Sequence, residues 1–132
     1  MSATTNKAQE LVERFLGAWN AQDVDKVLEC YTDDVQYRDP NTRGNVEGAA
    51  AMRKYLSKLF GKWRMTWTQR ESFPLASVDG YAFLWHATFQ KPEGGLVVET
   101  DGMDLVVMRG DRIARNEVYF DRAVLAPFMN MG

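Results

Sequence analysis

The sequence predicts an α+β fold in which helices cover one face of a curved, mainly antiparallel sheet. Apolar residues recur at helical spacing in the first part of the chain, whereas apolar and polar residues alternate from Trp63 onward, as in strands with one buried face. The turn sequences SVDG, KPEGG and RGD separate the alternating segments and are typical of hairpins. The 132 residues have the length of one domain, so residues 1–132 are expected to fold as a single unit.

Three helices are predicted before the sheet. The first covers residues 8–19, and the second is short and begins after Asp23, a residue type that caps helices. The third runs from Glu47 to Phe60 and is expected to stop at Gly61. The first helix is amphipathic because its apolar residues share one stripe: Ala8, Leu11, Val12, Phe15, Leu16 and Trp19.

Five strands are predicted. A short one, Val35 to Asp39, leads into an Asp-Pro turn between the second and third helices. Of the other four strands, one begins at Trp63. The remaining three cover Tyr81 to Gln90, Leu96 to Arg109 and Arg112 to Asp121. Helices packed against such a bent sheet leave a cone. Its aromatic residues line a pocket if the wide end is open, and they form a core if it is closed.

Charge and composition exclude several classes of protein. Sixteen basic and eighteen acidic residues give a net charge of -2 without a basic stripe, which argues against a nucleic-acid partner. No apolar run is long enough to span a membrane. The N-terminus lacks the pattern of a secretory signal, and the single cysteine allows no intrachain disulfide, so we expect a cytoplasmic protein. One histidine and one cysteine offer no metal-ligand spacing, and no metal site is expected.

Asp39 has two interpretations. Alternation along its strand places it on the same side as Val35 and Tyr37, which we expect to face inward. An aspartate before proline is also a common turn residue that accepts local backbone hydrogen bonds. The residue pattern leaves both interpretations open.

Asp104 carries the sharper signal. Alternation places this carboxyl group on the apolar side of its strand, with Leu96, Val98, Gly102, Val106 and Met108. A carboxylate in an apolar face is costly unless it is protonated or paired. Asp104 is therefore expected either to have a perturbed pKa in a pocket, or to pair with an arginine or face water.

Most of the chain resembles a known superfamily. The segments LVERFLGAWNAQDVDKVLECYTDDVQYRDP, VEGAAAMRKYL and DGMDLVVMRGDRIARNEVYFD are similar to the nuclear transport factor 2-like (NTF2-like) superfamily, in its SnoaL-like and ketosteroid-isomerase-like branch. The resemblance implies a cystatin-like cone with three N-terminal helices on a strongly curved sheet. Because this superfold includes isomerases, cyclases, dehydratases, epoxide hydrolases and binding modules, the resemblance does not identify one activity.

The resemblance to ketosteroid isomerases implies roles for individual residues. Asp39 falls where that family keeps its general base, and Asp104 falls where it keeps a protonated aspartate that donates to an oxyanion. Phe15 replaces the oxyanion tyrosine and has no hydroxyl group. Tyr31 matches a supporting tyrosine of some relatives, whereas another supporting tyrosine falls on Leu56, beside Tyr55.

Two other activities of the superfamily match less well. The catalytic aspartate of limonene epoxide hydrolases falls on Val118. His86 is expected on the outer face of the sheet, which argues against a mechanism like that of scytalone dehydratase. The resemblance places Ala114, Asn116, Val118 and Phe120 on the inner face of the last strand, where Asn116 is expected to orient a ligand.

The functional hypothesis is a cone that binds a small, hydrophobic, cyclic and carbonyl-bearing molecule, with cofactor-independent acid–base chemistry by Asp39 and Asp104. A non-catalytic binding module and a cone filled by its own side chains are the alternatives. The expected ligand contacts are Phe15, Trp19, Tyr31, Tyr37, Met52, Tyr55, Met65, Trp67, Trp85, Phe89, Asn116, Val118 and Phe120.

The outer face of the sheet is expected to form a homodimer because it is too apolar to remain in water comfortably. Its side chains are Leu84, His86, Met103, Leu105, Val107 and Tyr119.

Overall fold

The computed structural model describes residues 3–129, with side chains for residues 8–128. It confirms the α+β fold, in which helices pack on a curved six-stranded sheet. The elements in chain order are α1 (Ala3–Ala21), α2 (Val24–Glu29), β1 (Tyr31–Arg38), β2 (Val46–Glu47), α3 (Ala49–Lys62), β3 (Arg64–Pro74), β4 (Gly80–Gln90), β5 (Val97–Arg109), β6 (Arg112–Tyr119), a 3-10 helix (Arg122–Leu125) and α4 (Ala126–Met129). No helix within the described residues is both long and apolar enough to cross a membrane.

The strand order is β2-β1-β6-β5-β4-β3. The strands from β3 to β6 form an antiparallel meander, and β1 adds to β6 in parallel, with Tyr37 opposite Asn116. Pairing is irregular between Gln69 and Glu71 in β3 and between Val107 and Met108 in β5. Because bulges bend strands and increase their twist, these irregularities account for part of the curvature.

The core lies between the helices and the inner face of the sheet. In β4, every second residue from Tyr81 to Phe89 is buried, and the residues between them are half-buried. This pattern confirms that Trp85 and Phe89 face inward while His86 faces outward. Helix α1 packs its apolar stripe against β3, and α3 packs against α2 and β1.

Several predicted boundaries were wrong. Helix α3 continues through Gly61 to Lys62, and the backbone N–H of Trp63 closes its last turn by donating to Leu59 O. Glu47 belongs to the short strand β2, which the sequence did not reveal. Strand β1 runs from Tyr31 to Arg38 rather than from Val35 to Asp39.

Two predicted inner-face positions were also wrong. Leu96 lies before β5 and is 49% exposed, because that strand begins at Val97. In β6, Arg115 pairs with Val107 and Ile113 pairs with Met108. The skipped residue, Ala114, is half-buried, and Ile113 is fully buried in its place. A bulge therefore interrupts the alternation that placed Ala114 inside.

Candidate functional site

The candidate site is a cleft between α1, the end of β1 and the inner face of strands β3 to β6. Its free volume is about 30 Å³, which is room for about two water molecules. Side chains therefore fill most of the cone. The lining residues are Phe15, Leu16, Trp19, Tyr37, Asp39, Asn41, Leu59, Met65, Trp67, Trp85, Asp104, Val118 and Phe120.

Asp104 is the buried acid of the cleft. Its side chain is only 6% exposed. Trp85 Nε1 donates to Oδ1 at 2.9 Å, and Asn116 Nδ2 donates a longer bond to Oδ2 at 3.4 Å. Burial raises the pKa of Asp104 to about 6, while these two bonds oppose the shift and the charge of Asp39 adds to it. Both partners are neutral, so neither an arginine pair nor exposure to water accounts for Asp104.

Gly102 makes room for the bond between Trp85 and Asp104. On the paired strands, Trp85 lies opposite Gly102 while Phe83 lies opposite Asp104, so the indole reaches diagonally across the ladder. A Cβ atom at Gly102 would lie 2.6 Å from Tyr119 O and closer still to the Trp85 ring. Glycine at this position therefore lets the indole lie against the strand and donate to the carboxyl group.

Asn116 and Tyr31 form a second layer behind Asp104. Tyr31 Oη donates to Asn116 Oδ1 at 2.7 Å, and Asn116 Nδ2 also donates to Leu105 O at 3.3 Å. Both Tyr31 and Asn116 are buried. Because its oxygen accepts from Tyr31, the amide of Asn116 is held with its nitrogen toward Asp104. Asn116 thus supports the acid from behind rather than lining the cleft.

Asp39 serves as a turn residue and lines the cleft as well. Oδ1 accepts the backbone N–H groups of Asn41 at 2.7 Å and Thr42 at 3.1 Å, as expected for an aspartate that opens a turn. Oδ2 accepts the hydroxyl groups of Tyr37, at 2.7 Å, and Tyr55. Each oxygen therefore accepts two hydrogen bonds, which occupy the lone pairs of the carboxylate.

The two tyrosines at Asp39 stay protonated at ordinary pH. Burial raises the pKa of Tyr37 well above its ordinary value, and burial also raises the pKa of Tyr55, with the charge of Asp39 as the next cause in both. Their rings lie 5.5 Å apart. Because each hydroxyl group donates its hydrogen bond to Asp39, the lone pairs of each tyrosine oxygen stay free to accept a hydrogen bond.

The aromatic wall of the cleft is built mainly from edge-to-face contacts. Trp67 packs at a ring-centroid distance of 4.7 Å against Trp85 and at 6.0 Å against Trp19. The indole nitrogens of Trp19 and Trp67 are buried and have no hydrogen-bond partner within the part of the chain that the structure describes. These two donors stand out because most buried polar groups are paired.

The structure brings most of the predicted site residues to one cleft. Five predicted ligand contacts do not line it: Tyr31, Met52, Tyr55, Phe89 and Asn116. Three lining residues were not predicted: Leu16, Asn41 and Leu59. Leu16 shares the helical stripe of Phe15, which is a signal that the sequence carries. The positions of Asn41 and Leu59 depend on how the turn after Asp39 and helix α3 close over the cone.

His86 lies outside the cleft, between two carboxylates. Nδ1 is 2.8 Å from Asp101 Oδ1, and Nε2 is 2.9 Å from Glu99 Oε1. These hydrogen bonds, with Glu99 contributing most, raise the pKa of His86. Because both ring nitrogens face acceptors, this arrangement favours the doubly protonated ring. Among the residues that the structure describes, no group of three or more potential ligand side chains could hold a metal ion.

Comparison with known proteins gives a family and several similar folds. The family model described as a SnoaL-like domain matches residues 12–116. No curated protein matches the chain. Among solved structures, TerC co-crystallised with polyporic acid is 17% identical and has a TM-score of 0.80, with 94% of this chain and 98% of that chain covered.

Two further structures have the same fold. An NTF2-like protein of unknown function from Burkholderia pseudomallei is 16% identical, with a TM-score of 0.79 and coverage of 96% of this chain and 97% of that chain. RV0760c from Mycobacterium tuberculosis, in complex with estradiol-17β-hemisuccinate, is 18% identical, with a TM-score of 0.75 and coverage of 89% and 96%. At these identities the likeness concerns the fold alone.

Proposed function

The chain belongs to the SnoaL-like domain family, and from this premise we propose that it binds a small, hydrophobic, carbonyl-bearing ring compound and moves a proton on it through Asp104. The proposed chemistry needs no cofactor. Because the free volume of the cleft is only about 30 Å³, a ring compound enters only when lining side chains move apart. The observation that carries it is a carboxyl group, buried among aromatic side chains, whose pKa is raised to about 6. A group with a pKa near neutrality can both accept and return a proton. Complexes of two similar folds with polyporic acid and estradiol-17β-hemisuccinate support binding of such compounds.

The proposed step is a proton transfer that balances without a co-reactant. At pH 7 the larger part of Asp104 is ionised, and its carboxylate accepts a proton from the carbon next to the ligand carbonyl. The electron pair of the broken C–H bond moves to the carbonyl oxygen and forms an enolate. Asp104 then returns the proton to carbon. Asp39 acts in this proposal as an anchor for Tyr37 and Tyr55 rather than as the base, because its oxygens already accept four hydrogen bonds.

Exchange of deuterium into a simple ketone tests this assignment. The probe is 2-indanone in D2O, and loss of the proton signal next to the carbonyl is followed by NMR. We expect Asp104→Asn to slow protein-dependent exchange roughly 100-fold or more, the usual size of an acid–base contribution. Asp39→Asn should stay within about tenfold of the parent protein, as for loss of hydrogen bonds.

The reverse result would assign the base to Asp39. Absence of protein-dependent exchange in the parent chain, with 2-indanone bound, would favour a non-catalytic binding module. One observation supports this second candidate: Phe15 occupies the cleft without a hydroxyl group, so the first helix supplies no tyrosine donor. Failure to bind any ring compound would leave the third candidate, a cone filled by its own side chains.

We also propose that the outer face of the sheet forms a homodimer. Tyr119 is 49% exposed and the neighbouring apolar side chains of this face are only half-buried. Apolar side chains grouped in this way are typical of interaction surfaces. Sedimentation of the parent protein and of Leu105→Lys tests it, because a charge at a dimer interface should shift the mass toward the monomer. An unchanged monomeric mass in both proteins would contradict the proposal.

A further inference from the structure

Two buried indole N–H groups in the wall of the cleft distinguish this site from a plain apolar pocket. Trp19 on α1 is 5% exposed, and Trp67 on β3 is half-buried with a buried nitrogen. Neither nitrogen has a partner among the described residues. A buried donor without an acceptor lowers stability. A bound acceptor at this wall would remove that cost.

The surrounding oxygen atoms do not meet this need. The Trp19 indole approaches the Tyr31 hydroxyl closely enough to lower the pKa of Tyr31, against a larger upward shift from burial. The Trp19 nitrogen and the Tyr31 hydroxyl do not reach hydrogen-bond geometry. The Tyr31 hydroxyl donates its own hydrogen bond to Asn116. The side chain of Asn20 pairs with the backbone N–H and carbonyl oxygen of Trp67. This contact does not involve the indole nitrogen of Trp67.

The two indoles lie on the same wall as the acid. Trp67 packs against Trp85, whose own indole donates to Asp104, and Trp19 packs against Trp67 on its other side. Trp19 also follows Phe15 by one helical turn, at a ring-centroid distance of 6.2 Å. A donor is thus present on α1 although Phe15 has no hydroxyl.

We infer that the ligand carries an acceptor oxygen, as a ketone, ether or enolate does, which receives the indole N–H groups of Trp19 and Trp67. This inference rests on the proposed function and adds to it the two side chains that recognise the ligand oxygen. An indole N–H can donate but cannot accept, so this wall selects acceptors over ammonium groups. The opposite expectation comes from aromatic faces beside two carboxylates, which attract cations. The two buried donors favour a ligand with an acceptor oxygen over a cationic ligand.

Indole resonances in proton–nitrogen NMR spectra provide the test. The chain has four tryptophans, and single Trp→Phe variants assign their signals. With 2-indanone, the Hε1 signals of Trp19 and Trp67 should move downfield as hydrogen bonds form. With indane, which has the same rings without the oxygen, this downfield movement should be absent. The Trp63 signal is the internal reference, because that ring packs on Phe128 and Lys91 outside the cleft.

Affinities for the same probes give an independent measure. Trp67→Phe and Trp19→Phe should each lower the ratio of 2-indanone affinity to indane affinity about fivefold, as expected for one lost hydrogen bond. The ratio cancels the effect of the smaller ring, which both probes experience. Trp63→Phe should leave the ratio unchanged.

The outcomes separate this inference from the proposed function. Equal affinity for 2-indanone and indane in the parent protein, without a selective indole shift, overturns the inference and leaves ring binding intact. Tighter binding of phenyltrimethylammonium than of 2-indanone also overturns it and indicates a cation site. Failure of all three probes to bind overturns both the inference and the proposed function.

Discussion

Trp85 and Asp104 are joined by a 2.9 Å hydrogen bond that runs diagonally between β4 and β5. Within the described part of the chain, the bond supplies one of two donors to a buried carboxyl group, and the other, from Asn116, is long. Two neutral donors do not replace the water that a carboxylate loses on burial. The raised pKa of Asp104 therefore follows from its position in the fold and makes stability depend on pH.

Asp104 should make the protein less stable as the pH rises. Its pKa in the folded state, about 6, is higher than the ordinary value of an aspartate, so the folded state binds more protons in the window between them. Stability is then highest below that ordinary value and falls until the pH exceeds the folded pKa. The loss should be about 3 kcal/mol, from about two pKa units. Urea unfolding of the parent protein and Asp104→Asn across this window measures it as the difference between the two curves.

The exposed residue Asp33 supplies the matched control. Asp33→Asn changes the same charge without burial, so its curve should run parallel to that of the parent protein. The comparison removes the contributions of His86 and other titrating groups, which all three proteins share. A parallel curve for Asp104→Asn would mean that Asp104 titrates normally, and it would remove the main support for the proposed proton transfer.

Gly102→Ala should disturb the acid through Trp85. The added Cβ would lie 2.6 Å from Tyr119 O and closer to the indole ring, so the ring has to move. We expect a loss of about 1–3 kcal/mol in unfolding free energy, the usual cost of overpacking. The pKa of Asp104 should rise further because the bond from Trp85 lowers it. Carboxyl-carbon NMR titration and urea unfolding measure the two effects.

Gly61→Ala is the control for this substitution. Gly61 lies inside α3 with no atom within 4 Å of the added Cβ. Alanine there should stabilise the helix by about 0.5–1 kcal/mol and leave the pKa of Asp104 unchanged. If Gly102→Ala left both the unfolding free energy and the pKa of Asp104 unchanged, the close packing of Trp85 on β5 would not be what positions the indole.

Alternation predicted the inward-facing position of Asp104 correctly, because β4 and β5 pair without interruption around it. The same rule failed at Ala114, where a bulge shifts the register. The double role of Asp39 could not be predicted, because its partners Tyr37 and Tyr55 come from different elements and meet only after α3 has packed. The narrowness of the cleft likewise depends on how many aromatic rings interlock, which composition alone does not determine.

His86 should titrate above its ordinary range, and Glu99 should contribute more to the shift than Asp101. Hydrogen bonds to the two carboxylates favour the protonated ring. Glu99→Gln should therefore lower the pKa of His86 more than Asp101→Asn does, and the double variant should lower it further. NMR titration of the single histidine reads the pKa directly. If the ring titrates at its ordinary pKa in the parent protein, the hydrogen bonds of His86 to Glu99 and Asp101 do not form in solution.

Asn20 should hold the edge strand and, with it, the aromatic wall. Strand β3 is at the edge of the sheet, so its outer backbone groups are available for pairing with another chain. Asn20 Nδ2 donates to Trp67 O at 3.0 Å, and Trp67 N donates to Asn20 Oδ1 at 2.7 Å. Asn20→Ala removes both bonds, and we expect a loss of about 1–2 kcal/mol. It should also weaken 2-indanone binding, because Trp67 is held by its backbone.

Asn45→Ala, in an exposed loop, should change neither stability nor binding. If Asn20→Ala lowers stability while 2-indanone binds as before, the amide supports the edge of the sheet but does not position Trp67 for the ligand.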